Sequence, residues 1–425
     1  MPRLVTTAWI LAAVGLVWDA RVSAAEPVSV INADAVFGSA QQNWVRPVNY
    51  NACAPGACDA GGTSCGCSDS GCGLCGGGLC GGELGDPWTL SSLMGDDPCF
   101  TIGGWAQVGY HNKSDGIFNT YPHHVQLQQG YLYLEKATDG ADGFDIGGRA
   151  DLVYGTDGPN TQAFGNSFGN WDFSEDFQHT PYGWAIPQLY AEIAYHDLKV
   201  KGGHFYTPMG YQVVPATGNF FYSIPFTFNF SEPFTHTGAF ATYSASDDVT
   251  LYGGWTLGMD TGFDQLNQGN SFLGGASVKL LDNVTATYLT CVGNLGWLGH
   301  GYMHAIVVDW VINDKWEYVI QSDLNHTDTD PFGVAGGYNT IGINQYLFYT
   351  INDKLKAGVR GEWWKFNGVS VYDFTAGVNI RPTANLVIRP EWRYRWSPTL
   401  NDDPASDATF NWEEGIFGVD AILTF

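Results

Sequence analysis

The sequence predicts an all-β protein: a closed antiparallel transmembrane β-barrel of about sixteen strands (fourteen to eighteen), preceded by an export signal and a Gly/Cys-rich segment. Three observations carry this. Strand-length segments alternate apolar and polar side chains, the connections between them alternate short and long, and composition is low in charge (14%) but rich in aromatics (15%) and glycine (55 residues). Strict alternation places one row of side chains on each face of a strand, and low charge suits a face turned to lipid.

Length and charge narrow the classes further. A chain of 425 residues holds two or three soluble domains or one large barrel. A formal net charge of −25 with only 18 basic residues argues against nucleic acid as a partner, because a phosphate-binding surface needs clustered Lys and Arg.

Residues 1–25 read as a secretory signal: Arg3, an apolar stretch to Trp18, and the small-residue end Val22-Ser23-Ala24-Ala25, with cleavage near Ala25. Beyond it no apolar run approaches the ~18 residues that a membrane-spanning helix needs. Residues 26–99 form a linker or tether, largely irregular, and carry Cys53, Cys58, Cys65, Cys67, Cys72, Cys75, Cys80 and Cys99. Cys72-x-x-Cys75 has the spacing of one half of a metal site, but no histidine stands near and no second pair has zinc-ribbon spacing. A disulfide-stapled exported segment is the better reading, with its pairing open.

From residue 100 the barrel follows in order: candidate strands at 100–111, 125–136, 144–154, 184–195, 198–206, 233–244, 249–258, 271–280, 284–292, 303–312, 316–325, 338–351, 355–366, 371–381, 386–396 and 414–425. Most have close to the ~9–11 residues of a tilted membrane strand. Connections such as His196-Asp197, Asp282-Asn283 and Asn352-Asp353-Lys354 are short and fall on one side. Long ones, such as 155–183, 207–232, 259–270 and 397–413, fall on the other. Asn367–Ser370 is the short exception on the long side. The even strand count puts both ends on the short-turn side. The last segment, EGIFGVDAILTF, sets Phe417, Val419, Ala421, Leu423 and Phe425 on one apolar face.

The other strand faces carry charge. Arg389, Glu391, Arg393 and Arg395 share a face opposite Ile388, Trp392 and Trp396, and Lys356, Arg360 and Glu362 oppose Leu355, Val359 and Trp363. Same-face neighbours lie ~7 Å apart, where two guanidinium charges repel by roughly 0.6 kcal/mol in water and about four times more at an effective dielectric of 20. Such a row is expected on a wet face. Aromatics such as Tyr195, Tyr206, Trp316, Tyr318 and Trp396 near strand ends match interfacial girdles.

Three stretches have a family look: Gly203-His204-Phe205-Tyr206-Thr207-Pro208-Met209-Gly210, Phe221-Tyr222-Ser223, and Pro233-Phe234-Thr235-His236-Thr237-Gly238. With the export signal, the alternating strands and the terminal Phe425, the chain over residues 100–425 resembles Gram-negative outer-membrane porins. More narrowly it resembles the OmpL-like β-barrel porin family of planctomycete type. The resemblance implies an outer-membrane location in contact with lipid, passive diffusion of ions and small polar solutes, a homotrimer, and no cofactor. It also implies that a long loop folds inward, and 207–232 is the candidate, with its Phe residues and Glu232 as its only acid.

The expected pore-lining residues are Arg149, Glu192, Lys356, Arg360, Glu362, Arg381, Arg389, Glu391, Arg393 and Arg395, with Asp145, Asp151 and Glu317 among the acids facing the basic row. Catalysis is not expected. The histidines are scattered, none beside a serine in a nucleophile elbow, and His123-His124 with Asp115 reads as a solvated loop rather than a metal site. Two alternatives stand beside diffusion: a plugged structural or adhesive barrel, and, with less support, a barrel hydrolase.

Overall fold

Alternation of side chains makes a sheet with one apolar face, and closing that sheet removes its unpaired edges. The computed structural model describes residues 84–94, 99–114, 117–175, 179–328, 337–398 and 413–425. The export signal and almost all of the Cys-rich stretch lie outside the described residues. Of the two cysteines described, Cys99 and Cys291, neither forms a disulfide.

The sheet begins with β1 (Thr101–His111), β2 (Gln126–Lys136) and β3 (Phe144–Gly155), then β4 (Gly183–Ala185) and β5 (Leu189–Tyr195). It continues through β6 (Leu198–Tyr206), β7 (Thr235–Ser246), β8 (Val249–Thr256), β9 (Asn270–Leu281), β10 (Val284–Asn294) and β11 (His300–Val311). The remainder is β12 (Trp316–Thr327), β13 (Asn339–Asn352), β14 (Leu355–Phe366), β15 (Val369–Thr383), β16 (Leu386–Trp396) and β17 (Glu414–Thr424). Apart from β4 and β5, each pairs antiparallel with its chain neighbours, and β1 pairs with both β2 and β17, so the sheet closes. At the seam, Phe425 N donates to the Gly104 carbonyl at 2.9 Å and accepts from Gly104 N at 3.0 Å through its own carbonyl.

β4 and β5 both pair with β3, so the seventeen segments make sixteen staves. The expected single strand over 184–195 is broken at residues 186–188. Pro187 has no N–H for the ladder, and Gln188 is fully buried, its Nε2 donating to Asp151 Oδ2 at 2.9 Å. Its carbonyl accepts the Asp151 amide at 2.9 Å, which restores pairing below the gap.

The outer face is apolar. Along β17, Phe417 and Leu423 are exposed, whereas Glu414, Ile416, Asp420 and Ile422 are buried inside. Exposed Tyr195, Tyr243, Trp310 and Trp316 ring the short-turn rim, and Tyr154, Trp255, Trp392 and Phe417 lie toward the long-loop end. This is the girdle pattern of a barrel in lipid. No helix among the described residues is long and apolar enough to cross a membrane. Ahead of β1, Trp88 clips the β15–β16 turn: its N–H donates to Asn385 Oδ1 at 2.8 Å, and its carbonyl accepts Asn385 Nδ2 at 2.7 Å.

Candidate functional site: the inward loop and its wall

Between β6 and β7 the chain does not turn back over the rim. Residues 207–234 run into the barrel, and the segment is rich in aromatics that have no place in water. Phe221, Tyr222, Phe226, Phe228 and Phe234 are all buried. The segment carries a short helix, Phe226–Ser231, started by Pro225, whose fixed φ suits a helix entrance.

Inward side chains from several staves hold this loop by its main chain. Glu362 of β14 accepts the Phe226 and Thr227 amides at 2.9 and 2.6 Å. Glu391 of β16 accepts those of Tyr222 and Ser223 at 2.8 and 3.0 Å. Carbonyls go to cations: Ser223 to Arg360 at 2.8 Å, Ile224 to Arg393 at 3.2 Å, and Ala216 and Asn219 to Arg389 at 2.9 and 2.6 Å. From staves on either side of these, Gln129 of β2 donates to the Val214 carbonyl at 2.8 Å, and Gln321 of β12 accepts the Tyr211 amide at 2.9 Å. Carboxylates take N–H groups and guanidinium groups take C=O groups, so both polarities of the loop backbone are satisfied.

The row of arginines was expected on a wet face. It is dry instead: Arg360 and Arg393 are fully buried, and Arg389 and Arg395 nearly so. The expectation failed because spacing along one strand says nothing of charges on the next. Asp373 of β15 lies between Arg360 and Arg393, Asp420 of β17 is the direct cross-strand partner of Arg389, and Glu414 that of Arg395. These three acids were missed in the sequence. Asp373 stands on the inward row of β15, Glu414 and Asp420 on that of β17, and only the register sets each against its arginine.

The other expected residues also face inward. Arg149 Nε pairs with Asp151 Oδ1 at 2.7 Å and its Nη1 with Glu135 at 3.2 Å, over the Tyr133 ring. Glu192 stands opposite Lys201 in the ladder, whose ammonium lies among Tyr190, Phe205 and Phe240. Asp145 pairs with Lys136 at 2.7 Å, near the short-turn end. Lys356 pairs with Glu317 at 2.8 Å, and Arg381 donates to the Ala384 carbonyl at 2.7 Å. Asp115 lies outside the described residues. Among the described residues no group of three His, Cys, Asp or Glu is placed to hold a metal ion.

The loop leaves space beneath it. A cavity of about 250 Å³ lies between the loop and the short-turn end, bordered by Asn219, Phe220, Glu317, Lys356, Arg381 and Arg389 among others. At the loop's far end, burial and the facing Asp323 push the Glu232 carboxyl well above the usual range, with Gln321 Nε2 donating to both acids. Outer-loop acids are shifted too: burial pushes Asp157 and Asp172 up to about 7 and Asp260 up to about 8.

A closed sheet of sixteen antiparallel staves, apolar outside and crossed by an inward loop, defines an outer-membrane β-barrel of porin type. The chain belongs to the family described as Putative beta-barrel porin-2, OmpL-like, whose model matches residues 99–425. No curated protein matches it. Among solved structures it is similar to the outer membrane channel DcaP of Acinetobacter baumannii, at 12% identity and a TM-score of 0.53, over 77% of this chain and 97% of that one. It is also similar to an anion-selective porin from Comamonas acidovorans, at 10% identity and a TM-score of 0.50, over 77% and 99% of the two chains. At these identities the likeness is one of fold.

Proposed function

We propose that the barrel is a porin, through which ions and small polar solutes diffuse passively across the outer membrane, with the loop over 207–232 as its constriction. The observation that carries this is the pairing of an inward loop, held to the barrel wall by its main chain, with a polar-rimmed cavity directly beneath it. The wall charges then divide by role. Arg360, Arg389, Arg393, Glu362 and Glu391 hold the loop in place, and Lys356, Arg381 and Arg389 border the solute path at the cavity. Arg149 and Glu192 line the opposite wall, and Arg395 the long-loop end. No catalytic step is part of this reading. A homotrimer and a cleaved signal near Ala25 complete it, and the Gly/Cys-rich segment supports the planctomycete-type branch of the family.

Single-channel recording in a planar bilayer under a salt gradient tests it. Stepwise ohmic openings are expected. Folded, heat-modifiable protein that never conducts would refute diffusion.

One observation favours a second reading, a plugged structural barrel: the loop is tied by charged side chains that are themselves dry. Removing residues 26–99 separates a tether from a plug formed by that segment. A porin would conduct much as before, whereas a barrel plugged by that segment would gain conductance.

A further inference from the structure

We propose that the outer face of β11–β14, at the long-loop end, holds the phosphorylated sugar headgroup of an outer-leaflet glycolipid. The proposal rests on the barrel standing in the outer membrane with its long loops outward, and it needs no conduction.

The outward rows of a barrel in lipid are apolar up to an aromatic girdle. Most staves obey this: toward the long-loop end Tyr154, Trp255, Phe272, Trp392 and Phe417 are outward and exposed. β11, β12 and β14 do not. Along β14 burial alternates, with Arg360, Glu362 and Trp364 inside, so Lys365 falls on the outer row with Val359 and Trp363. Its ammonium has no carboxylate partner among the described residues. The ladders place polar neighbours on the same outer face. Leu324, Ile341 and Lys365 are direct partners across β12, β13 and β14. His304 stands opposite Leu324, and His326 opposite both Tyr302 and Asn339.

Charge calls for the phosphate. A cation on the lipid face is costly at the midplane and tolerated at headgroup level, where an anionic headgroup can pair with it. The groups beside Lys365 suit a sugar. The Tyr302 ring meets those of His304 and His326, with centroids 5.2 and 5.3 Å apart. His326 Nδ1 donates to Asn339 Oδ1, and His304 Nδ1 bonds the Tyr288 hydroxyl. Those bonds orient both rings and leave Nε2 of each for another partner. At His326 the nearest carboxylate, Asp328, stands 3.9 Å from Nε2, too far for a hydrogen bond. The patch is open: the His326 side chain is 38% exposed, and Tyr302, His304 and Lys365 are half-buried. Lys365 and His326 lie two staves apart, roughly 10 Å across the sheet. A disaccharide headgroup can touch both, whereas a single glycerol phosphate reaches only one.

The test is native mass spectrometry of the full chain folded in detergent micelles, with hexa-acylated diphosphoryl lipid A as probe. Dephosphorylated lipid A keeps the sugar, and phosphatidylglycerol brings a phosphate without it. Diphosphoryl lipid A is expected to be retained at least fivefold more than either. Lys365→Leu should cut that retention at least fivefold and His326→Leu at least twofold. Tyr154→Leu, on β3 across the barrel, should leave it unchanged. Leucine suits an outward row, so these variants should fold, and heat-modifiability checks that they do. Equal retention of phosphatidylglycerol or of dephosphorylated lipid A overturns the assignment, as does indifference to Lys365→Leu and His326→Leu in heat-modifiable protein. Conductance of the same preparation keeps the two claims apart. Conduction without lipid A retention removes the site and keeps the porin, and retention without conduction does the reverse.

Discussion

Glu391 and Ser223 lie 168 residues apart in the chain, yet the Glu391 carboxylate accepts the Ser223 amide at 3.0 Å. Arg360 holds the carbonyl of the same serine at 2.8 Å and reaches its hydroxyl at 3.1 Å. One residue of the inward loop is thus gripped at both its N–H and its C=O by opposite charges from two staves. Main-chain recognition fixes where the loop runs and leaves its side chains to shape the lumen.

Removing that grip should loosen the loop. Glu391→Ala deprives two buried amides of their acceptor, at about 1.5–3 kcal/mol for each hydrogen bond to a charged group. Channel recordings should show larger or noisier openings, and limited proteolysis should cut near Ser223. Unchanged conductance together with an unchanged cleavage pattern would show that the loop stays in place without Glu391.

Arg389 and Asp420 should act as a unit. Arg389→Met alone leaves a buried carboxylate unpaired, a loss of ~3–5 kcal/mol. The double variant Arg389→Met/Asp420→Leu should recover much of this in urea unfolding from micelles. Strict additivity of the two single changes would contradict the pairing.

The packing of the outer loops should depend on pH. Asp260 accepts the Phe234 and Thr235 amides at 2.6 and 3.1 Å, where the inward loop rejoins the wall. Burial nevertheless raises its pKa from 3.8 to about 8. The folded state therefore keeps a proton that the unfolded chain has lost across this window, so stability is greatest at the acid end and falls as pH rises toward 8. Asp260→Asn, which keeps the acceptor and cannot ionise, should flatten the dependence of thermal unfolding on pH. An equally steep profile in the variant would rule Asp260 out as its source.

Gly210, at the start of the loop, should tolerate no side chain. Its φ is +88°, and a Cβ there would clash with the Glu232 carboxylate. Gly210→Ala should destabilise by about 1–3 kcal/mol from backbone strain alone. Glu232→Ala should relieve the clash but not the strain, which a double-variant unfolding series would separate.

Most of the wall was legible in the sequence, because a strand's two faces are written in alternate residues. β6, β14 and β16 occupy the expected residues, and the stave count follows from the rhythm of turns. The fourth stave was read as continuous because an apolar–polar alternation persists through Pro187, and periodicity does not register a missing N–H. At the site, the inward direction of Arg360, Arg389 and Arg393 was legible, but their burial was not. Alternation tells which face a side chain joins, and not whether water or protein fills the space it faces.

The sequence by itself determined a sixteen-stave barrel, apolar outside and charged within, with a long aromatic segment after β6. That much needs only local chemistry: side-chain period, turn residues and the cost of placing charge in lipid. Only the tertiary structure decided that Asp373, Asp420 and Glu414 neutralise the arginines, and that Glu362 and Glu391 hold the loop by its amides. Those contacts depend on register between strands and on where a loop crosses the lumen. Both are set by closure of the whole sheet, and no single segment encodes them.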